Sequence, residues 1–121
     1  MSNEYEQYLP EIDVAVGLTR VMKNMNLYVK LLKKFDPYKM IDQLVVLLKD
    51  KDYERAIQIT HAMRGTAANL SFDIVRNLAN EIELLCKEKK DPMHLIEPLK
   101  TAVDELNDKM ALLIESHESQ G

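Results

Sequence analysis

The chain has 121 residues, enough for one domain with one core and too few for two comfortable ones. Apolar residues make up 46% and charged residues 30%, and the dominant residue types favour helices, so we predict an all-α domain. The net charge is −4 with both signs interspersed, and no basic block marks a phosphate-backbone footprint, which argues against a nucleic-acid partner.

The first predicted elements are a flexible polar segment at 1–8 and a short helix behind it. Asp13 suits the N-cap of that helix, and apolar side chains recur behind it at helical spacing. A turn at 23–26 follows. The next helical pattern runs from about residue 27 to residue 49.

The pair Asp36–Pro37 interrupts this second pattern. Proline in a helix removes one hydrogen bond and disfavours helical geometry at the residue before it. The helix therefore either kinks here or breaks and restarts with Asp36 as N-cap and Pro37 at N1. The continuous periodicity favours one long helix with a kink or an irregular turn.

Two further long helices follow the second pattern. Asp52 is the predicted N-cap of a helix that runs to about Leu70. Ser71 or Asp73 is predicted to cap the next helix, over 72–89, which ends in cations suited to a helix C-terminus.

Asp91–Pro92 begins the last helical segment, so the pattern contains one short helix and four longer ones. Short connections favour antiparallel neighbours. The predicted fold is an all-α, up-down antiparallel four-helix bundle with a short additional N-terminal helix. We expect a single domain over 9–116, between the flexible segment at 1–8 and a flexible tail at 117–121.

Several features bear on the compartment. The chain starts with acids and tyrosines where a signal peptide would be basic and then apolar, so none is predicted. The longest apolar run, at 44–48, is too short to span a bilayer. The single cysteine, Cys86, excludes an internal disulfide and fits a reducing compartment. We expect a cytoplasmic protein that does not bind membranes.

The stretch "HAMRGTAANL" at 61–70 lies within a helical pattern but contains a glycine, which costs about 1 kcal/mol relative to alanine. At about 100° per residue, His61 falls roughly 140° from the centre of the core face, so we predict that it faces outward. Its neighbours on that face include Ile57, Arg64, Gly65 and Ala68.

These neighbours suit a histidine that carries a phosphoryl group, although a plain surface histidine is the commoner case. Phosphoryl transfer to nitrogen requires room for an in-line donor and positive charge near the oxygens. Gly65 and Ala68 remove bulk beside the ring, and Arg64 places a cation one turn along. The glycine then provides clearance, with a packing requirement as the alternative.

The same ten residues resemble the signature of histidine phosphotransfer domains, which has His, then Lys or Arg at +3, Gly at +4, small residues and a Leu. "LPEIDVAVGLTRVMKNMNLYVKLLKKF" resembles the N-terminal stretch of that family, and "LANEIELLCKE" resembles its helix after the histidine. The resemblance covers about residues 9–90. "NLSFD", where many members have a glycine-containing turn, and Asp36–Pro37 depart from the family pattern.

The resemblance implies a phosphocarrier of a multistep His–Asp phosphorelay in two-component signalling. His61 would take a phosphoryl group from the aspartate of one receiver domain and pass it to another. The expected partners are response-regulator receiver domains and a hybrid sensor histidine kinase, and the helix order fits a monomer. No cofactor of its own is expected, because the receiver would supply Mg²⁺. The chain has no P-loop or kinase glycine loop, so it is not expected to be an enzyme with an ATP site.

Further roles follow from the resemblance, with Nε2 of His61 as the attacking atom. Nδ1–H then needs a partner, and Glu83 on the next helix is the imidazole-orienting candidate unless it lies in solvent. Arg64 and Lys87 are the phosphate-orienting candidates, and Gly65 and Ala68 provide steric clearance. The alternative for Arg64 is a surface cation that aids solubility or pairs with a nearby acid, and the alternative for Lys87 is a solvated helical face. The candidates for receiver docking are Ile57, Val16 and Met22. Val16 and Met22 have an equal alternative, which is to cover the bundle core.

Other functions are weaker on the sequence. His94 and His117 lack partners at metal-ligand spacing, so no metal site is expected, and Cys86 is interpreted as a small buried apolar residue. One alternative is a helical adaptor that binds a receiver domain without being phosphorylated. Another is the phosphoacceptor domain of a chemotaxis-type histidine kinase.

Overall fold

The computed structural model describes residues 4–119, and within that range it is helical and contains no strand. This confirms the predicted all-α class. Short 3₁₀ turns at Glu6–Tyr8 and Met93–Leu95 accompany the α-helices. The α-helices are α1 (Val14–Thr19), α2 (Met25–Lys34), α3 (Pro37–Lys49), α4 (Tyr53–Leu70), α5 (Asp73–Lys87) and α6 (Ile96–Ser119).

The chain breaks at Asp36–Pro37, so the single kinked helix that the periodicity favours is wrong. α2 ends at Lys34, and α3 begins at Pro37. Asp36 is the N-cap of α3, where its Oδ1 accepts a hydrogen bond of 3.2 Å from the Lys39 amide. Pro37 occupies the first turn, where an amide hydrogen would have no partner within the helix, so the proline costs no hydrogen bond.

Side chains cap α1 and α4 as predicted. The Val16 amide donates to Asp13 Oδ1 at 3.3 Å, and the Arg55 amide donates to Asp52 Oδ1 at 3.2 Å. The turn between α4 and α5 differs from the prediction. Ser71 is the C-cap of α4, in left-handed geometry with φ 64°, and Phe72 precedes α5 without a capping side chain. Neither Ser71 nor Asp73 is the N-cap of α5.

The four longest helices form a closed ring of contacts. α4 packs against α3 and α5, and α6 packs against α5 and α3, so α6 lies diagonally across from α4. α4 and α5 run antiparallel: His61 meets Glu83, and Ala68, further along α4, shares a cleft with Arg76, which comes earlier on α5. The largest fully buried side chains include Tyr28, Phe72, Ile12, Leu32, Ile41, Leu44, Met63, Ile82, Leu99 and Leu106.

The segments that contain α1 and α2 are both hydrogen-bonded to the C-terminal end of α4. The Asp13 amide donates to the Ser71 carbonyl at 3.0 Å, and the fully buried Tyr28 hydroxyl donates to the Leu70 carbonyl at 2.6 Å. Burial raises the pKa of Tyr28 well above its usual value, so the hydroxyl stays a donor. A Cβ on Gly17 would lie 2.6 Å from the Tyr28 hydroxyl oxygen, so this glycine permits close contact between α1 and α2.

The segments predicted to be flexible lie partly outside the described residues, which include only 4–8 of the first and 117–119 of the second. In those parts Tyr8 is buried and α6 continues to Ser119. Between residues 4 and 119, no helix combines the length and the apolar character that crossing a bilayer requires.

Candidate functional site

His61 lies in the middle of α4 with its side chain 70% exposed, so the outward orientation predicted from helical phase is confirmed. The opposite face of the helix enters the core, where Ala56, Met63 and Ala67 are completely buried. The imidazole therefore lies on the surface near the groove between α4 and α5.

Glu83 of α5 is the centre of the site, and its side chain is only 2% exposed. Its Oε1 lies 3.2 Å from Nδ1 of His61, and its Oε2 lies 3.2 Å from both Nη2 of Arg64 and Nζ of Lys87. The sequence left open whether this carboxylate meets the imidazole or lies in solvent, and the structure places it beside the imidazole. Four of the predicted site residues are therefore in direct contact.

The charge on Glu83 is stabilised by its partners. Burial on its own would raise the pKa of the carboxyl group, but the hydrogen bond from Lys87 and the charge of Arg64 outweigh burial, and the net pKa is lowered. Glu83 is therefore an ionised, buried acceptor at neutral pH. Such a group can hold the Nδ1–H of an imidazole and stabilise positive charge on the ring.

Space beside the histidine is open where the sequence predicted clearance. A Cβ built on Gly65 meets no atom within 4 Å, so the alternative that packing requires this glycine is excluded. Gly65 and Ala68 form part of a cleft of about 400 Å³ between α4 and α5. Its lining residues are Arg64, Gly65, Ala68, Arg76, Asn77 and Asn80.

Arg76 is the charged residue of this cleft that the sequence analysis did not predict. It lies seven residues before Glu83, hence two turns away on the same face of α5. That spacing was available in the sequence. It carried no signal by itself because a cation on a polar helical face is ordinarily solvated.

A family model of the Hpt domain matches residues 38–113, which is more than half of the chain. The chain belongs to the Hpt domain family. The match spans α4, α5 and most of α3 and α6, and it confirms the resemblance drawn from the residues around His61. Neither the search of curated proteins nor the search of solved structures gives a match.

Membership in the Hpt family implies histidine phosphotransfer in a two-component phosphorelay. Hpt domains are phosphocarriers rather than enzymes, and as a family they interact with receiver domains and kinases. From residue 4 to residue 119, no group of three His, Cys, Asp or Glu side chains is arranged to hold a metal ion. Cys86 is buried, as predicted, and burial raises the pKa of its thiol.

The predicted docking residues of this Hpt domain divide into two locations. Ile57 is half-buried one turn before His61 and lines a groove with Lys87. Val16 and Met22 are 43% and 91% exposed, so Met22 does not cover the core. They belong to the α1 region, which is fastened at Ser71, ten residues or about 15 Å along the helix axis from His61.

Proposed function

We propose that this Hpt domain is a stoichiometric phosphocarrier of a multistep His–Asp phosphorelay and that His61 is its phosphoacceptor. It accepts a phosphoryl group from the aspartyl phosphate of one receiver domain and passes it to the aspartate of another. The observation that carries this proposal is the exposed imidazole of His61 with Nδ1 against the buried carboxylate of Glu83. In the described part of the chain Nε2 has no hydrogen-bond partner, so it is the ring nitrogen that can react with a phosphoryl donor.

The transfer step requires a neutral imidazole whose proton is on Nδ1. The Nε2 lone pair attacks phosphorus, the bond from phosphorus to the aspartate oxygen breaks, and its electron pair leaves with the carboxylate. The proton stays on Nδ1, where the Glu83 carboxylate offsets the positive charge of the phosphorylated ring. Transfer to the next receiver is the reverse of this step, with a new aspartate as nucleophile.

The other site residues have supporting roles in this proposal. Arg64 and Lys87 place positive charge near the transferred group, which carries negative charge on its oxygens. Gly65 and Ala68 leave the approach to the ring open. Mg²⁺ comes with the receiver, and this chain contributes no cofactor.

The architecture proposed for this carrier is an up-down antiparallel four-helix bundle formed by α3 to α6, with the helices before it packed at one end. The closed ring of contacts and the antiparallel pair α4 and α5 support this arrangement. We further propose a cytoplasmic monomer that works with response-regulator receiver domains and a hybrid sensor histidine kinase.

A phosphotransfer assay with purified receiver domains tests the proposed function. A receiver labelled on aspartate is mixed with the protein, which should acquire an acid-labile, base-stable phosphate. His61→Gln should abolish the label, whereas His94→Gln, which changes a histidine outside the site, should keep it. Absence of label on the wild type with several receivers, or label that persists in His61→Gln, contradicts the proposal.

The same assay separates the two alternative functions. A silent adaptor would bind a receiver domain in a pull-down or titration without acquiring label. A phosphoacceptor domain of a chemotaxis-type kinase would be labelled by a kinase domain and ATP but not by phosphorylated receivers.

A further inference from the structure

Nδ1 of His61 has two neighbours that require opposite protonation states of this nitrogen. Glu83 Oε1 lies 3.2 Å away and can only accept, so this contact is a hydrogen bond when Nδ1 carries a proton. Nη2 of Arg64 lies 2.9 Å away and can only donate, so this contact is a hydrogen bond when Nδ1 carries a lone pair. A neutral imidazole satisfies one of these partners at a time.

We propose that Arg64 controls which nitrogen of His61 carries the proton, and thereby whether the histidine is nucleophilic. This inference rests on the proposed function and deepens it. With Arg64 on Nδ1, the proton is on Nε2, and Nε2 has no lone pair with which to attack phosphorus. When Arg64 withdraws, Nδ1 takes the proton and donates it to Glu83, and the Nε2 lone pair becomes free.

We assign the Arg64-bound form as the resting one on two contacts of Arg64, although Glu83 Oε1 then faces the lone pair of Nδ1 at 3.2 Å with no hydrogen between them. The contact of Arg64 with Nδ1 is the shorter of the two, and the second hydrogen of the same Nη2 reaches Glu83 Oε2 at 3.2 Å. Glu83 therefore loses no charge partner in this form, since Lys87 also lies at 3.2 Å from Oε2. In this resting form, Arg64 prevents His61 from attacking phosphorus, and the same arginine faces the cleft.

Two features make withdrawal of Arg64 easy. Among the described residues its Nε is buried without a hydrogen-bond partner, so the resting position leaves one donor unsatisfied. The cleft of about 400 Å³ beside Gly65 offers room for the guanidinium to move. An incoming phosphoryl group provides a stronger, doubly charged acceptor for it. The phosphoryl donor would thereby activate His61, the nucleophile that attacks it.

Nitrogen NMR of the imidazole rings tests this inference without any phosphotransfer. At alkaline pH, where imidazoles are neutral, long-range ¹H–¹⁵N correlations distinguish the protonated from the unprotonated ring nitrogen. We expect His61 to be mainly Nε2–H in the wild type and mainly Nδ1–H in Arg64→Ala. His61→Gln assigns the signals, and His117, whose Nε2 lies 2.8 Å from Asn26 Oδ1, is an internal reference.

Arg76→Ala is the matched control, because it removes an arginine from the same cleft that does not contact the imidazole. It should leave the tautomer of His61 unchanged. A wild-type His61 that is already mainly Nδ1–H, or an equal change in Arg64→Ala and Arg76→Ala, would overturn the inference. Because these spectra need no receiver, failure here is distinct from failure of the phosphotransfer assay.

Discussion

Gly65 and Gly17 both lie inside helices, but a side chain at each position meets different surroundings. Gly65→Ala should raise the free energy of unfolding by about 1 kcal/mol, because alanine favours the helix and its Cβ meets no atom within 4 Å. Gly17→Ala should lower it, because its Cβ would lie 2.6 Å from the buried hydroxyl of Tyr28. Urea unfolding of both variants measures the two signs. A Gly65→Ala variant less stable than the wild type would contradict this explanation.

The clearance role of Gly65 predicts a loss of activity without a loss of stability. Gly65→Gln should stay folded but slow phosphotransfer by about tenfold or more, because the side chain occupies the approach to His61. Ala111→Gln is the control, since Ala111 is exposed on α6, diagonally across from α4. Single-turnover transfer from a phosphorylated receiver measures the rates. Normal transfer by Gly65→Gln would show that the glycine does not serve the partner.

Glu83 predicts a particular dependence of stability on pH. Because its folded-state pKa lies below the ordinary value of 4.5, the unfolded state binds more protons between the two values and stability rises with pH there. Its contribution is therefore complete above pH 4.5 and disappears as the pH falls through the folded-state pKa.

Comparison with Glu83→Gln isolates this contribution. The difference in unfolding free energy between wild type and Glu83→Gln should be constant above pH 4.5 and should shrink as the pH falls below that value and through the lowered pKa of Glu83. Urea unfolding across this range measures it, with Glu81→Gln, an exposed neighbour on α5, as the control. A difference that stays constant throughout would mean that Glu83 is not stabilised as an ion.

At the scale of elements, the break between α2 and α3 can be distinguished from a kink by the direction in which one mutation changes the free energy of unfolding. Asp36→Ala should lower the free energy of unfolding by about 1 kcal/mol, because Asp36 caps α3. In one continuous kinked helix the same change would raise stability, since alanine is the better helix former. Asp42→Ala, at an exposed position within α3, is the control. Thermal or urea unfolding measures each difference.

Helical periodicity was sufficient to predict the class of the fold, the course of α4 and the outward phase of His61. It could not distinguish a kink from a break at Asp36–Pro37, because both give the same local pattern. The decision depends on distant contacts, such as the packing of Phe35 against Phe72 with ring centroids 5.6 Å apart. The capping of α5 was missed because Ser71 adopts left-handed geometry, which the sequence pattern did not reveal.

The candidate site shows the same division between local and distant information. The spacing of Arg64 and Gly65 from His61 follows from one helix and was predictable. The burial of Glu83 was not, because a glutamate on a polar stripe is ordinarily solvated. It becomes buried only when α4 supplies His61 and Arg64 and α5 supplies Lys87 around one carboxylate. The competition between Glu83 and Arg64 for Nδ1 of His61 can be recognised only from atomic distances, so the sequence gives no sign of it.

At the scale of the whole molecule, the loop between α1 and α2 keeps an apolar side chain on the surface. Met22 is 91% exposed, and both Met22 and Lys23 have left-handed backbones, with φ of 55° and 61°. Such backbones cost about 1–3 kcal/mol each in residues other than glycine. In this turn the Lys23 amide donates to the Leu18 carbonyl at 2.7 Å, which ends α1 and offsets part of that cost. The exposure of Met22 has no such compensation in the isolated domain, so we expect the loop to serve a partner.

Met22→Ala should therefore weaken the binding of a receiver domain by about three- to tenfold, as expected when an apolar interface contact is truncated, and leave the unfolding free energy nearly unchanged. Leu112→Ala is the control, because Leu112 is 51% exposed on α6, diagonally across from α4. Calorimetric titration of each variant with the same receiver gives the two affinities. Equal affinities for both variants would place the docking surface nearer to Ile57, on the groove with Lys87. A loss of receiver affinity confined to Met22→Ala would show that the docking surface extends along α4 to its C-terminal end, where α1 is hydrogen-bonded.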